Sequence, residues 1–429
     1  MQYYSLENKK NITGFKQAVL KGLADDRGLY FPKAITPLPK NFIKNIADYS
    51  NQEIAFLAIR QFIDDGFTDD ILQEIINETL CFDFPTVKIS KNIYALELFH
   101  GPTMAFKDVG ARFMARCLGQ INKNSDHKTT VLVATSGDTG GAVASGFLGV
   151  KNVDVVILYP SKKVSEVQEK QLTTLGENIT ALEVNGTFDD CQAMVKKAFL
   201  DKEIIEKRNL TSANSINIAR WLPQMFYYFF AFKQLINHDK EMIFSVPSGN
   251  FGNICAGILA KKLGLPIKHF IAATNVNDVV PEYLLSQIYK PKPSIQTISN
   301  AMDVGNPSNF VRIQELYNGD WEMLKKELSG FAFTDDETKN SMKKLYTAYK
   351  YIADPHGAVG YLGLQQYGLK ENEIGVFLET AHPVKFLDVV TPVIGKEIDF
   401  PPQIAEIIDK EKKAITIKNY EALKSFLFN

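Results

Sequence analysis

The sequence predicts an α/β protein in which short, mostly parallel strands alternate with helices. From about residue 90 onward, apolar runs of a few residues alternate with amphipathic helical segments, and several runs end directly in glycine-rich or polar turns. This pattern is typical of open sheets with helices on both faces, in which ligands bind beyond the carboxyl ends of the strands. The predicted strands are 93–98, 130–134, 153–159, 179–184, 242–246, 267–273 and 375–379.

The first 90 residues show helical periodicity and predict a mainly helical N-terminal domain, 1–90. One predicted helix carries Phe15, Val19, Leu20 and Leu23 on a single face and stops at 28–32. We expect a catalytic body at 91–395, made of two α/β subdomains with the active site between them. A C-terminal segment, 396–429, is expected to pack on that body.

Charge and composition favour a small ligand over a polymeric one. The chain has 48 Lys and Arg residues against 49 Asp and Glu, so no overall charge attracts nucleic acid. The N-terminus is polar. The longest apolar stretch, 221–232, contains Pro223 and Gln224, which predicts a buried aromatic helix and no membrane span. Four scattered cysteines and six dispersed histidines indicate a cytoplasmic protein without a metal site.

The first chemical motif is the stretch His100 to Asp108, which runs into a predicted helix at 109–118. Lys107 lies at the junction between loop and helix, after small residues and Phe106. A lysine in this position can direct its amine into a cleft, although a lysine near a helix start is often only a surface charge.

The second and third motifs are loops between a strand and a helix. The loop 134–141 has three hydroxyl side chains, Thr135, Ser136 and Thr139, and precedes a helix rich in small residues. The loop 245–253 has glycines at 249 and 252, which allow close approach of the backbone to an anion. Exposed amides and the positive end of a helix dipole would make each loop an anion site, and a plain tight turn is the alternative.

Two further segments bring polar groups to predicted loop positions. Asn214, Ser215 and Arg220 fall within seven residues, and the planar guanidinium of arginine matches phosphate oxygens. Thr380 follows the last predicted strand and places a hydroxyl at its carboxyl end. A solvated arginine and a hydroxyl that caps a turn are the alternatives.

The combination of these motifs indicates more than any one of them. One candidate Schiff-base lysine, two anion sites and an additional arginine describe an aldehyde cofactor with a phosphate, together with an anionic substrate. The chain has no Walker A loop, no H-x-x-x-H pair and no G-x-S-x-G elbow, which disfavours the corresponding nucleotide, zinc and hydrolase sites.

The chain resembles the threonine synthase family, of the bacterial and fungal type with an N-terminal extension, along nearly its whole length. The resemblance is carried by GLADDRGLYFP, HGPTMAFKDVGARFMA, ATSGDTGGAVA, VPSGNFGN, FIAATNVND, SNAMDVGNPSN and TAHPVKF. It implies the tryptophan-synthase-β-like (type II) fold of pyridoxal-phosphate enzymes. It also implies a lyase of threonine biosynthesis that converts O-phospho-L-homoserine and water to L-threonine and phosphate.

The same resemblance assigns roles to residues that bind pyridoxal 5'-phosphate. Lys107 would be the catalytic lysine that carries the cofactor, with Phe106 beside it. Thr380 would face the pyridine nitrogen, and Asp138 would lie near the phenolic oxygen, where a carboxylate repels the phenolate unless a proton is shared. The cofactor phosphate would lie in a cup formed by Gly249, Asn250, Phe251, Gly252 and Asn253.

The resemblance also assigns the substrate contacts. Thr135, Ser136 and Thr139 would bind substrate, with Ser136 and Thr139 on its carboxylate. The substrate phosphate would be held by Asn214, Ser215 and Arg220. We expect a monomer or homodimer that binds neither membrane nor nucleic acid.

Other functions are compatible with parts of the pattern. The nearest is another enzyme of the type II fold, such as a serine or threonine dehydratase or an O-acetylserine sulfhydrylase, whose uncharged substrates would not need Arg220. An amino-acid phospho-lyase is a further alternative of the same fold. A catalytically idle relative would keep the fold without turnover. A nucleotide-binding module would explain the glycine loops but not Lys107.

Overall fold

The structure is a computed structural model that describes residues 1–125 and 128–428. The strands are β1 (Gln2–Ser5), β2 (Ile12–Gly14), β3 (Tyr30–Pro32), β4 (Thr86–Lys88), β5 (Ile93–Glu97), β6 (Thr129–Ala134), β7 (Val153–Pro160), β8 (Ile179–Val184), β9 (Asn209–Thr211), β10 (Glu241–Pro247), β11 (Ile267–Thr274), β12 (Leu328–Ala332), β13 (Glu373–Glu379) and β14 (Ile415–Ile417).

The helices are α1 (Phe15–Lys21), α2 (Lys40–Lys44), α3 (Asn51–Ile63), α4 (Asp69–Thr79), α5 (Lys107–Ile121), α6 (Asp138–Phe147), α7 (Glu166–Thr173), α8 (Phe188–Ala198), α9 (Lys202–Lys207), α10 (Ile218–Trp221), α11 (Phe226–Leu235), α12 (Gly252–Lys262), α13 (Val279–Ser286), α14 (Phe310–Leu316), α15 (Trp321–Glu327), α16 (Asp335–Tyr349), α17 (Pro355–Tyr367), α18 (Leu387–Ile394), α19 (Pro402–Ala405) and α20 (Tyr420–Phe428). Short 3-10 helices lie at Ile46–Asp48, Asp64–Gly66, Leu222–Met225, Ile236–His238, Asn300–Met302 and Pro383–Phe386.

The larger of two compact units, called here unit 1, comprises Met1, 31–106 and 221–399. Its sheet has the strand order β12-β11-β10-β13-β5-β4. All neighbouring strands are parallel except β4, which runs antiparallel to β5. Ser245 of β10 pairs with Phe377 of β13, and Glu379 pairs with Glu97 of β5. The chain therefore leaves three adjacent strands at the same edge of this sheet.

Burial on both faces explains why these strands read as continuous apolar runs. Every residue of β13 is buried, and β10 is buried from Met242 onward. On one face, α16, α17 and α18 cover a cluster that includes Ile243, Phe377 and Tyr361. The aromatic helix predicted at 221–232 is present as a short 3-10 turn followed by α11, and its residues 226–231 are buried.

The second compact unit, called here unit 2, comprises 2–30, 107–220 and 400–429. Its parallel sheet has the order β14-β8-β7-β6-β9. Apolar residues of β6, β7 and β8 pack against α8 and α20 to form the core. The C-terminal segment is tied to this unit by Lys412, whose Nζ lies 2.7 Å from Glu169 Oε1 and 2.8 Å from Glu183 Oε2.

The predicted fold class, with two mostly parallel sheets flanked by helices and an N-terminal extension, is confirmed. Every predicted strand is present, and β8 has the predicted bounds. The helix α1 is shorter than predicted because Gly22 ends it with φ +70°. Domain boundaries at 90 and 395 stay a prediction, since each compact unit draws on several chain segments, and 2–30 and 31–90 belong to different units.

Candidate active site

The loop after β10 presents a row of unused backbone amides at the start of α12. Phe251 is the N-cap residue, with φ +61°, and its side chain caps nothing. The first backbone bond of the helix runs from the Cys255 amide to the Phe251 carbonyl at 3.1 Å. Among the described residues of unit 1, the amides of 249–253 donate to no protein acceptor. An uncapped helix N-terminus of this kind is suited to an anion.

Neighbouring segments hold this loop, the cup 249–253, in place. Asn253 donates from Nδ2 to the Pro247 carbonyl at 2.8 Å, and its own carbonyl accepts from the Tyr228 hydroxyl at 2.8 Å. Asn250 accepts from the amides of Ser308 and Asn309, each at 3.2 Å. The side chains of the cup are therefore used to shape it, which leaves its amides for a ligand.

The segment that leads to Lys107 is fixed to the chain that follows β13. Within unit 1, the Phe106 amide donates to the Thr380 carbonyl at 2.8 Å, and the His382 amide donates to the Met104 carbonyl at 3.0 Å. Buried Lys385 donates from Nζ to the Thr103 carbonyl at 2.9 Å. These bonds set the position of Phe106, which immediately precedes Lys107 in the chain.

Thr380 lies directly beyond the carboxyl end of β13, as predicted. Thr380 is buried, and its hydroxyl has no hydrogen-bond partner among the described residues of unit 1. Since β13 and β10 are adjacent, Thr380 and the cup leave the same edge of one sheet. The structure thus brings these predicted cofactor contacts together.

In unit 2, Lys107 is the first residue of α5 and is partly buried. The helix approaches Arg220 of α10 closely at Gly110. A Cβ atom at Gly110 would lie 2.7 Å from the Arg220 carbonyl oxygen and 3.1 Å from its Nε. A side chain at 110 would therefore displace Arg220. Glycine at 110 therefore allows α5, the helix that begins at Lys107, to pack closely against Arg220.

The loop 135–140 is shaped by the buried hydroxyl of Thr135. This hydroxyl accepts from the amides of Gly137, at 2.9 Å, and Gly140, at 2.8 Å, and it donates to the Gly137 carbonyl at 3.1 Å. By contrast, Ser136 and Thr139 are partly exposed, and their hydroxyls have no partner among the described residues of unit 2. They are the hydroxyls in this loop that are available to a ligand.

Asp138, the first residue of α6, is held by a residue that the sequence did not single out. Gln168 donates from Nε2 to Asp138 Oδ1 at 3.0 Å, and both side chains are buried. Gly137 has φ +141°, and a Cβ atom there would lie 2.4 Å from the Gln168 side chain. The glutamine therefore packs directly on the loop and fixes the orientation of the carboxylate.

The segment 212–220 holds the remaining predicted residues. Asn217 anchors it to α1, since its Nδ2 donates to the Val19 carbonyl at 2.8 Å. The guanidinium of buried Arg220 donates to the Ala213 carbonyl, so part of its hydrogen-bonding capacity serves the segment itself. Asn214 and Ser215 are partly exposed. Asn214 and Ser215 lie in the turn before α10, and Arg220 lies within that helix.

Comparison with known proteins identifies the family of this chain. A model described as pyridoxal-phosphate dependent enzyme matches residues 73–379, and models of the threonine synthase N terminus and C-terminal region match 2–80 and 357–427. A threonine synthase from Buchnera aphidicola subsp. Acyrthosiphon pisum is 44% identical over 100% of this chain and 99% of that protein. The chain belongs to the threonine synthase family of pyridoxal-phosphate-dependent enzymes.

Solved structures of the threonine synthase family agree over the whole chain. The crystal structure of threonine synthase from Escherichia coli matches with a TM-score of 0.94 and 42% identity, and each chain is covered completely. That of pyridoxal-phosphate-bound threonine synthase from Brucella melitensis matches with a TM-score of 0.93 and 34% identity, over 100% of this chain and 98% of that one. The predicted family, type II fold, lyase class and cofactor are confirmed.

The residues in place suit the cofactor of the threonine synthase family. The unused amides of the cup and the N-terminus of α12 are suited to the dianionic phosphate ester of pyridoxal phosphate. Within the described ranges, no group of three or more His, Cys, Asp or Glu side chains is arranged to hold a metal ion. Nor does any helix in the described part of the chain combine the length and apolar character needed to cross a membrane.

Glu379, the residue before Thr380, has an unusual environment for a carboxyl group. It is fully buried, and its Oε1 accepts from the Asp354 amide at 2.6 Å. A Cβ atom at Gly357 would lie 1.7 Å from Glu379 Oε2, so the carboxyl fits only against glycine. Burial, reinforced by the charge of Asp354, raises the pKa of Glu379 well above its usual range and favours its neutral form.

We predict that Glu379→Gln removes part of the pH dependence of stability. A carboxyl whose pKa is raised by folding destabilises the folded state increasingly as the pH rises above its unfolded pKa of about 4.3 and through its folded pKa. The stability of the variant relative to wild type should therefore rise between about pH 5 and about pH 8. Urea unfolding at both pH values, at one fixed cofactor concentration, measures this difference.

Glu397→Gln is the matched control, because Glu397 is an exposed glutamate in the same unit. It should follow the wild-type pH dependence. Parallel behaviour of the two variants would contradict the assignment of a raised pKa to Glu379.

Proposed function

We propose that this chain converts O-phospho-L-homoserine and water to L-threonine and phosphate. The observation that carries the proposal is the similarity to threonine synthases along the full chain, which includes the regions outside the general pyridoxal-phosphate model. Another type II lyase, such as a serine or threonine dehydratase or an amino-acid phospho-lyase, is not favoured by this match. The proposal includes a cytoplasmic location and a monomeric or homodimeric state, which rest on the sequence alone.

In the proposed site, different segments of the chain contact different functional groups of the cofactor. Lys107 would hold the aldehyde end of the cofactor through Nζ, and Phe106 lies beside it in the chain. The amides of Gly249, Asn250, Phe251, Gly252 and Asn253 bind the phosphate, for which their lack of protein acceptors is the support. Thr380 offers its hydroxyl to the pyridine nitrogen. A hydroxyl carries no charge, so it orients the ring without stabilising a full pyridinium.

Asp138 is proposed to lie near the phenolic oxygen of the cofactor. A second negative charge there is tolerated only if it is stabilised or shares a proton. The hydrogen bond from Gln168 Nε2 to Asp138 Oδ1 supplies such stabilisation on one side. The orientation of Asp138 is thereby set by a neighbour that does not titrate.

The proposed substrate contacts follow the same logic. Ser136 and Thr139 bind the carboxylate with hydroxyls that are not used within their unit, and Thr135 shapes the loop that presents them. Asn214, Ser215 and Arg220 bind the phosphate. A buried guanidinium beside polar groups matches a phosphate ester better than an uncharged leaving group.

When bound, pyridoxal phosphate supplies an electron sink for charge that develops on the substrate carbons. Lys107 would have the proton-transfer role, because its Nζ would be available as a base once the substrate is bound. It takes a proton from the α-carbon of the substrate and subsequently one from the β-carbon. Arg220, Asn214 and Ser215 hold the phosphate while its bond to the γ-carbon breaks. A proton then adds to the γ-carbon, which becomes the methyl group, water supplies the hydroxyl at the β-carbon, and a proton returns to the α-carbon.

We predict that the purified protein releases phosphate and L-threonine from O-phospho-L-homoserine in equal amounts. In H₂¹⁸O, the label should enter the threonine hydroxyl and not the phosphate, because water attacks carbon. Colorimetric phosphate assay and mass spectrometry of both products measure this. Homoserine with labelled phosphate, or 2-oxobutanoate with ammonia, would contradict the proposed reaction.

We predict that Arg220→Ala raises KM for O-phospho-L-homoserine at least about tenfold while the visible absorbance of the bound cofactor is kept. The loss corresponds to one charge-assisted phosphate contact of about 1.5–3 kcal/mol. Steady-state kinetics, together with inhibition by inorganic phosphate, measure the effect.

Arg116→Ala provides a matched control, since Arg116 also donates to a backbone carbonyl in unit 2, that of Gly146 at 2.7 Å. It should leave KM within about twofold of wild type. An unchanged KM in Arg220→Ala, or an equal rise in both variants, would remove Arg220 from the substrate site.

A further inference from the structure

A buried pair of residues at the start of α17 carries an inference beyond the contacts proposed so far. Asp354 is the N-cap residue of this helix, and Pro355 follows at its first position. The carboxylate of Asp354 accepts from the amide of His356 at 2.7 Å and from the amide of Gly357 at 3.4 Å. Asp354 and His356 are both almost completely buried. The pair is therefore part of the rigid frame of unit 1.

The hydrogen bonds of His356 define its tautomer. Its Nε2 lies 3.2 Å from the backbone nitrogen of Ala301, which can only donate a hydrogen bond. Nε2 must therefore accept, and the proton of the neutral ring must lie on Nδ1. Nδ1 is 2.5 Å from Asp354 Oδ1, so it donates to that carboxylate. Asp354 thus orients His356 to receive the Ala301 amide.

The turn held by His356 is the one on which the cup rests. Ala301 lies in the 3-10 helix Asn300–Met302. A Cβ atom at Gly249 would lie 2.6 Å from the Ala301 carbonyl oxygen and 2.9 Å from the Met302 Cα. The backbone of Gly249 is therefore in direct contact with this turn. A shift of the turn would move the first residue of the cup.

Asp303, the residue directly after the turn, is held by separate hydrogen bonds. Its Oδ1 accepts from Asn275 Nδ2 at 2.9 Å and from the Thr297 hydroxyl at 2.7 Å. His356 thus holds the turn 300–302 at Ala301, and the side chain of Asp303 holds the residue that follows the turn. Of the two residues, His356 is the one that bonds to the backbone of Ala301, whose carbonyl meets Gly249.

We propose that His356, oriented by Asp354, is a positioning residue for the cofactor phosphate. It holds the turn 300–302 against Gly249 and so sets the height of the cup amides above the end of β10. The inference rests on the proposed function, in which the cup 249–253 binds this phosphate. His356 itself touches neither the phosphate nor the substrate in this proposal.

The test uses full-length holoenzyme with His356→Phe and His356→Asn. Phenylalanine keeps the ring that packs 5.0 Å from Phe386 but cannot accept a hydrogen bond, and asparagine is too short to bridge Asp354 and Ala301. Both should raise the dissociation constant for pyridoxal 5'-phosphate at least about tenfold, which is about 1.4 kcal/mol. The ³¹P resonance of the bound cofactor should move toward that of the free cofactor. The visible absorption maximum, which reports the Lys107 end, should not move.

Two further variants separate positioning from general damage. His356→Gln can accept from Ala301 and donate to Asp354, so it should keep the wild-type ³¹P resonance and affinity. His269→Phe removes another buried histidine of unit 1, one that bonds to Ser329 at 2.8 Å, and should also leave both unchanged.

An unshifted ³¹P resonance in His356→Phe would overturn the proposal, and so would an equal shift in His269→Phe. If His356→Phe does not fold, equal affinities of the Asn and Gln variants would overturn it. Turnover of O-phospho-L-homoserine by the wild-type protein tests the proposed function separately, because the ³¹P measurement concerns the cofactor alone.

Discussion

The start of α12 imposes the constraint around which unit 1 is organised. Five consecutive residues, 249–253, direct backbone amides away from any acceptor of their own unit, and the N-cap residue is a phenylalanine that caps nothing. Amides at the start of a helix carry partial positive charge, so the cup favours an anion. In the proposed site, a phosphate ester would accept from these amides and interact favourably with the helix dipole.

The surrounding structure fits this requirement. The side chains of Asn250 and Asn253 bind neighbouring backbone groups, which leaves the amides of the cup exposed to a ligand. Adjacent strands lead to the other predicted contacts: Thr380 follows β13, and the segment after β5 ends at Phe106. Hydrogen bonds between Phe106 and Thr380 and between Met104 and His382 join the ends of these two strands. Strand order therefore places contacts that are far apart in the chain on one sheet edge.

Periodicity and loop chemistry predicted a large part of this arrangement. Strands buried on both faces read as largely apolar runs, which is why β6 and β13 were found from the sequence. The edge strands β12 and β14 were missed, because residues such as Ser329, Gly330 and Thr416 interrupt the apolar pattern in strands that are only partly buried. Glycine and hydroxyl residues at strand ends indicated both anion loops.

The supporting residues were harder to predict because their partners are distant in sequence. Gln168 meets Asp138 across 30 positions, and His356 meets Ala301 across 55. Local signals did exist, since Ser165 and Gln168 form a capping box and Asp354-Pro355 is typical of a helix start. These signals predict where a helix begins, but only tertiary packing determines which loop its first turn contacts.

The central claim is that Lys107 carries pyridoxal phosphate, and reduction of the holoenzyme with borohydride followed by tryptic peptide mapping tests it most directly. Modification of Lys107 blocks cleavage there, so the account predicts one cofactor-labelled peptide spanning residues 92–112. Label on a peptide without Lys107, or no label in a protein whose visible absorbance shows bound cofactor, would contradict it.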